Sequence, residues 1–165
     1  MSKIKISFLL AFVITVAWST ACRKYRSPTT PDSGTPLPQQ TLYDYKSSGI
    51  TVRRNEAIRD AARWQAVWAE LHIGSFPVPP VPAVDFSRDM VVLAALGTTQ
   101  DSCFSIAVAS VVATSSLATV GIEISRFPPN CTCPPFSVTP AHAVKVRRTD
   151  TPVEFRSSNV TKGSC

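Results

Sequence analysis

The sequence has little of what catalytic and phosphate-binding motifs need. Only two of its 165 residues are histidine, and only six are glycine. No serine lies in a Gly-x-Ser-x-Gly turn, and no glycine pattern matches a phosphate-binding loop. No internal repeat of useful length is present, and no catalytic constellation stands out. The sequence therefore says more about architecture and compartment than about chemistry.

Positive charge is in only modest excess over negative charge. The formal net charge is +6, and it includes Lys3 and Lys5 at the amino terminus. Without these two lysines, fifteen basic residues face eleven acidic ones. The basic residues are spread along the chain and are not interleaved with aromatic residues, so we expect no nucleic-acid partner.

The first 21 residues have the pattern of a secretory signal peptide. Lys3 and Lys5 form a positive start, and residues 6–16 are an apolar run too short to span a bilayer comfortably. Small residues close the segment before Cys22. A signal peptide is favoured over a transmembrane anchor.

Cys22 resembles the cysteine of the bacterial lipobox, which is lipidated and becomes the mature amino terminus, although Ser19 stands where leucine is usual. Cleavage after Ala21 is the alternative, and it would give a soluble secreted or periplasmic protein with an exposed thiol. Setting Cys22 aside leaves four of the five cysteines, an even number that suits an oxidising compartment. We therefore predict an exported lipoprotein of the cell envelope, anchored in the membrane through Cys22.

Residues 22–40 are predicted to be a disordered tether. The segment is rich in Ser, Thr, Gln and Pro, with prolines at positions 28, 31, 36 and 38. Such a composition disfavours both helix and sheet and buries too little apolar surface to offset the entropy of ordering. The folded domain is then expected over residues 41–165.

One helix is predicted, with Asp60 as its N-cap, residues 61–72 as its body and Gly74 at its end. Its apolar residues recur with helical spacing, which favours packing on a sheet over an aromatic ligand box. Residues 85–97 join a polar turn to an apolar run that reads as a strand buried on both faces. The predicted core consists of Trp64, Val67, Trp68, Leu71, Phe86, Val91 and Leu93.

The rest of the chain predicts short strands and loops. Residues 49–59 predict an antiparallel strand pair that turns near Asn55. The prolines of residues 77–82 predict an extended segment that crosses the surface. Residues 143–148 and 153–156 predict a further strand pair. The predicted fold class is α+β: a curved antiparallel sheet of about six to eight short strands with one amphipathic helix packed on it.

Four cysteines follow the tether: Cys103, Cys131, Cys133 and Cys165. Cys131 and Cys133 are too close in sequence to bridge comfortably, so we favour Cys103 paired with one of them and Cys165 with the other. Zinc held by Cys103, Cys131, Cys133 and His142 is an alternative, and so is a nucleophilic cysteine with His142 as base. We expect no metal and no cofactor, with His72 at the helix end and His142 as an ordinary edge residue.

Three stretches resemble the C-terminal domain of the PrcB family: Arg63-Trp64-Gln65-Ala66-Val67-Trp68, Val84 to Val92 followed by Leu96-Gly97, and Val138 to Val146. The resemblance covers about residues 48–155. It implies an exported, often lipid-anchored protease complex subunit that helps a surface protease assemble and has no catalytic activity of its own. The sequence departs from the family between Thr98 and Phe104, where a glycine-rich loop is usual and Cys103 stands instead.

The leading functional hypothesis is thus a non-enzymatic module that binds an exported protease or another envelope protein through loops at one end of the sheet. The predicted contact residues are Thr98, Thr99, Gln100, Asp101, Phe127, Pro128 and Pro129. A β-rich secreted protease inhibitor, whose loops enter a protease cleft, is the alternative. A hydrolase with unidentified residues is the third hypothesis.

Overall fold

The structure is a computed structural model that describes residues 34–163. The predicted signal peptide, the predicted lipidation site Cys22 and Cys165 lie outside these residues. The elements in chain order are β1 Thr35–Pro36, β2 Gln40–Tyr45, β3 Arg54–Ile58, α1 Ala61–Leu71, β4 Asp89–Ala95, β5 Phe104–Ala113, β6 Ala118–Arg126, β7 Ala141–Arg147 and β8 Val153–Thr161. Within the described part of the chain, no helix is long and apolar enough to cross a membrane.

The helix forms where the sequence predicts it. The carboxylate of Asp60 accepts a hydrogen bond from the backbone N–H of Arg63 at 2.8 Å, as an N-cap should. His72 is the C-cap, and Gly74 follows with a φ of +85°, a conformation that suits glycine. The buried residues of the helix are Trp64, Val67, Trp68 and Leu71.

Strand β4 lies at the centre of the molecule. It belongs to a four-stranded antiparallel sheet of order β2-β7-β4-β3, which we call the helix-side sheet. Alternate residues of a strand point to opposite faces. Val91, Leu93 and Ala95 therefore pack with α1, whereas Met90, Val92 and Ala94 pack against a second sheet. All six side chains are fully buried, so β4 is covered on both faces.

The second sheet, here the outer sheet, has the order β1-β5-β6-β8. Its inner face contributes Ile106, Val108, Val111, Val120, Ile122 and Ile124 to the core between the sheets. Helix, helix-side sheet and outer sheet thus form three layers with two apolar interfaces. Strand β8 runs parallel to β6, and the register is unbroken from Ala118↔Val153 to Arg126↔Thr161.

The structure confirms the α+β class, with eight strands and one helix in residues 34–163. It divides the strands between two sheets, whereas the sequence suggested one. The predicted pairing of residues 143–148 with 153–156 is wrong, because β7 lies between β2 and β4 while β8 joins β6 in the other sheet. Ala143 of β7 faces the helix and Val144 faces the outer sheet, so β7 must occupy an interior position.

Two smaller expectations also fail. Asn55 lies within β3, opposite Ala94, and does not form a turn. The last residues of the predicted tether are ordered: Thr35 and Pro36 pair with Ala113 and Val112 of β5. Proline is tolerated there because β1 is an edge strand, where no ladder hydrogen bond is lost on the outer side.

The proline-rich segment crosses the surface above α1, as predicted. The indole N–H of Trp68 donates to the carbonyl of Pro79 at 2.9 Å, and that of Trp64 donates to the carbonyl of Pro82 at 3.2 Å. Both indoles are buried and their polar atoms are used, so they pack as core residues and leave no aromatic ligand box.

Candidate functional site

A disulfide joins the two loops that the sequence singled out. Cys103, at the start of β5, is bonded to Cys133, in the long connection between β6 and β7, with a Cα–Cα distance of 5.5 Å. Thirty positions of sequence separate the two residues. We call residues 98–103 together with 127–137 the loop cluster. The Cys103–Cys133 bond agrees with the favoured prediction that Cys103 pairs with one of the two loop cysteines.

Polar contacts reinforce this bond. The carboxylate of Asp101 accepts from the backbone N–H of Cys103 at 3.0 Å and from the guanidinium of Arg126 at 2.9 Å. The backbone N–H and the hydroxyl of Ser102 both donate to the carbonyl of Pro134 at 3.3 Å. The ammonium of Lys46 donates to the carbonyl of Ser102 at 3.3 Å. The loop cluster is therefore held by covalent, ionic and hydrogen bonds at once.

Cations surround the aromatic ring at the base of the longer loop. The ammonium nitrogens of Lys46 and Lys162 lie 5.9 Å and 5.1 Å from the ring centre of Phe127. Arg126 lies 5.0 Å from the ring centre of Phe104. These distances are within the range of cation–π attraction. A depression of about 370 Å³ opens beside them, lined by Arg126, Phe127, Pro128, Pro129, Cys131, Cys133 and Thr161.

The predicted contact residues divide into exposed and structural ones. Thr98, Gln100 and Pro129 are exposed, and Asp101, Phe127 and Pro128 are half-buried. Thr99 is buried, and its hydroxyl donates towards the carbonyls of Val138 and Asp101 at 3.1 and 2.8 Å. Thr99 therefore anchors its loop and does not offer its side chain to a partner.

Sequence reasoning missed three residues of this surface. Phe136 is 57% exposed, which is unusual for a large apolar side chain. Lys46 and Lys162 come from the end of β2 and from just beyond β8, and only the topology brings them to the same ring. The Pro-Pro-Phe sequence before Ser137 was the one available signal, and it indicates a constrained loop that displays its aromatic residue.

The zinc site and the nucleophilic cysteine both require cysteine sulfurs that are not in disulfide bonds. A carboxylate oxygen of Asp101 and the sulfurs of Cys103 and Cys133 lie within 4.8 Å of one another, but the two sulfurs are bonded to each other. Cys131 is also disulfide-bonded. Its predicted partner Cys165 lies outside the described residues, so that pairing stays a prediction.

His142 is a buried residue, and its prediction as an ordinary edge residue is wrong. It lies in β7, between β2 and β4, with its ring directed at the outer sheet. Its Nδ1 accepts the backbone N–H of Val108 at 2.9 Å, and its Nε2 is 3.3 Å from the hydroxyl of Thr41. Burial lowers the pKa of His142, and the nearby Asp44 opposes this only in part. Both ring nitrogens are engaged inside the fold.

A second exposed apolar surface lies at the end of α1. A cleft of about 340 Å³ is lined by Tyr43, Tyr45, Ser47, His72, Ser75, Phe76, Pro77 and Pro79. The phenol of Tyr43 donates to the carbonyl of Leu71 at 3.2 Å, and burial raises the pKa of Tyr43 to about 12. Phe76 is 99% exposed beside this cleft. The phenol is thus neutral and structural at physiological pH.

The loop cluster and the entry point of the chain lie at opposite ends of β5. Strand β1 pairs with Val112 and Ala113 at one end, and Cys103 precedes Phe104 at the other. Ten residues of strand separate the ends, a distance of about 30 Å.

In comparisons with known proteins, no family model, no curated protein and no solved structure matches the chain.

Proposed function

We propose that this chain is a non-enzymatic lipoprotein module of the cell envelope that binds, or helps to assemble, an exported protease or another envelope protein. The binding surface is the loop cluster. The supporting observation is that the two loops singled out from the sequence are clamped together by the Cys103–Cys133 disulfide at the end of β5 that is remote from the entry of the chain.

Geometry favours this surface for a partner. A chain anchored at Cys22 enters the domain at Gly34, next to the carboxyl-terminal end of β5, where β1 pairs with Val112 and Ala113. Eleven residues separate Cys22 from Gly34, so the folded domain begins at most about 40 Å from the anchor. The loop cluster lies at the end of β5 remote from this entry point, where other envelope proteins could reach it.

The chemistry of the surface also suits a protein partner. Phe136 supplies an exposed apolar contact, and Lys46 and Lys162 supply positive charge beside Phe127. An aromatic centre with a charged rim is common in protein interfaces. The bonds around Asp101 and Ser102 order the loops before binding, which reduces the entropy that binding must overcome.

Co-purification of the full chain from envelope extracts tests this proposal. The informative variant is Phe136→Ser, and its matched control is Phe76→Ser, because both residues are exposed phenylalanines in proline-rich segments. We expect one envelope protein to be enriched with the wild type and with Phe76→Ser, and to be lost with Phe136→Ser. Equal enrichment by both variants, or no enriched protein with the wild type, would refute the role of the loop cluster.

The anchor needs a separate test. Replacement of Cys22 by Ser removes the thiol that lipidation requires, while cleavage after Ala21 stays possible. We expect the wild-type chain in the membrane fraction and the Cys22→Ser chain in the soluble fraction after signal processing. Wild-type protein found in the soluble fraction would instead identify a secreted or periplasmic protein.

A protease inhibitor is the second candidate, and the clamped loop is the observation in its favour. Residues 127–137 contain four prolines and are tied at Cys133, as a loop that resists cleavage in a protease site needs to be. Inhibition assays against secreted proteases of several classes decide this point. Inhibition that disappears with Phe136→Ser would favour the inhibitor, and a flat response across the classes would remove it.

A further inference from the structure

Strand β8 differs from every other exposed strand edge in the described part of the chain. Native proteins usually protect such edges with proline, short length, bulges or covering side chains. The edge strand β1 has two residues including Pro36, β2 has an irregular register between Thr41 and Tyr43, and the part of β5 beyond β1 has one between Val108 and Ser110. The short strand β3 carries Arg54 and Glu56, which form ion pairs with side chains of α1.

Strand β8 lacks proline, short length, a bulge and an ion pair to another element; its own ion pair, between Arg156 and Glu154 at 3.0 Å, stays within the strand. The strand has nine residues, contains no proline and keeps an unbroken register with β6. The backbone N–H of Lys162 donates to the backbone carbonyl of Arg126, and the backbone carbonyl of Pro152 accepts from the backbone N–H of Ala118. Arg126 and Ala118 are the two ends of β6. Even-numbered residues therefore turn their backbone groups towards β6, and the backbone groups of the odd-numbered residues face the open edge. Those residues are Val153, Phe155, Ser157, Asn159 and Thr161.

The side chains of the outer face are complementary to a second copy of the same strand. Glu154, Arg156 and Ser158 are exposed on the face opposite Phe155, which packs into the core. Lys162 continues this face; its ammonium lies 5.1 Å from the ring centre of Phe127 and forms no ion pair within the described residues. If two copies of β8 run antiparallel with Ser158 opposite Ser158, each Glu154 lies opposite a Lys162 of the other copy. This register also places the open backbone groups of Ser157 opposite those of Asn159.

We propose that β8 is a dimerisation edge along which two copies of the chain pair antiparallel about a two-fold axis at Ser158. The two four-stranded outer sheets then form one continuous sheet of eight strands. Such an interface is self-complementary, as a two-fold axis requires. The paired stretch is residues 154–162 and leaves out Phe136, whereas Lys162 belongs both to this edge and to the proposed partner surface.

Cysteine cross-linking tests the register directly. Ser158 forms a non-hydrogen-bonded pair with its copy in this arrangement, and such pairs have Cα atoms about 4.5 Å apart, within the range of disulfides. We expect Ser158→Cys to form a covalent dimer under mild oxidation. Ser110→Cys is the matched control, because Ser110 is an exposed serine of β5 in the same sheet, away from this edge. Equal cross-linking of the two variants would overturn the proposal.

Light scattering of the full chain over a concentration series tests the association itself. Asn159→Pro removes a backbone N–H from the open edge and leaves the ladder to β6 intact, so we expect it to be monomeric where the wild type is dimeric. Glu154→Lys and Lys162→Glu should each weaken the dimer about ten-fold, and their combination should restore it, because both cross-strand pairs return with reversed charges. Phe136→Ser should not change the mass.

A wild-type mass of one chain at all concentrations would overturn the proposal, whether β8 is then open or covered by the amino-terminal residues. So would dimerisation that persists in Asn159→Pro. Loss of the envelope partner in Phe136→Ser with an unchanged dimer would separate this inference from the proposed function.

Discussion

The Nδ1 atom of His142 accepts a hydrogen bond from the backbone N–H of Val108 across the interface between the two sheets, over a distance of 2.9 Å. Val108 lies at the register irregularity of β5, so the ring satisfies a backbone donor at a break in the strand pairing. The neutral ring then carries its hydrogen on Nε2, which donates to Thr41. One side chain thereby links β7, β5 and β2.

This contact predicts acid sensitivity. Burial lowers the pKa of His142 below its usual value of 6.5. The unfolded chain therefore takes up a proton at a higher pH than the folded chain does, and the free energy of unfolding falls as the pH drops below about 6.5. Urea unfolding between about pH 7.5 and about pH 5 measures this. His142→Gln keeps an acceptor for Val108 but does not titrate, so a slope that persists in this variant would assign the effect to other groups.

A matched pair of glycines separates backbone strain from a steric clash. Gly97, which ends the central apolar run, has a φ of +77°, and a Cβ there would lie 2.7 Å from the nitrogen of Arg53. Gly74 has a φ of +85° with open space around it. We expect Gly74→Ala to destabilise the fold by about 1 kcal/mol and Gly97→Ala by about 3 kcal/mol or more. Thermal or urea unfolding measures both, and equal losses would contradict the close approach.

The disulfide should contribute strongly to stability. Its two cysteines are thirty positions apart, and a cross-link of this length stabilises by about 3–4 kcal/mol in the chain-entropy description. The double replacement Cys103→Ser and Cys133→Ser should lower the free energy of unfolding by that amount. Asp101→Asn is a milder control, because it removes the ion pair with Arg126 and keeps an amide oxygen that can accept from the backbone N–H of Cys103. An unchanged urea midpoint in the double variant would show that the polar contacts suffice.

The two indoles should control the order of the proline-rich segment. Trp68→Phe removes the N–H that donates to Pro79 while keeping an aromatic ring in the core, so we expect a loss of about 1 kcal/mol. The ¹⁵N heteronuclear NOE values of the Val78 and Val81 amides should fall, which measures greater mobility of the segment. Trp64→Phe is the comparison, since its longer bond holds Pro82. Unchanged NOE values in Trp68→Phe would mean that packing alone holds the segment.

The sequence predicted the elements whose patterns are local. Asp60 and Gly74 mark the helix because caps act within one turn, and the apolar run after Asp89 marks a doubly buried strand because both faces need apolar residues. The turn at Asn55 was wrong because a polar residue at a half-buried edge strand resembles a turn residue in sequence.

The sequence could not predict relations between distant segments. The parallel pairing of β6 with β8 depends on β7 joining the other sheet, and the same alternation of residues in β8 fits either sheet edge. Likewise, Lys46 and Lys162 meet at Phe127 only after both sheets have formed. The two loops of the candidate site were accessible to sequence reasoning because Cys103 and Cys133 mark them.

The parallel pairing of the last strand has a consequence for the order of folding. Strand β7 fills an interior position of the helix-side sheet, and β8 completes the outer sheet, so both sheets depend on residues after position 140. Contacts between such distant segments form late, because loop closure costs entropy before the contacts repay it. A chain that emerges amino terminus first therefore stays unfolded until its end is available. The export predicted from the sequence would require such an unfolded chain, if it proceeds through a narrow channel.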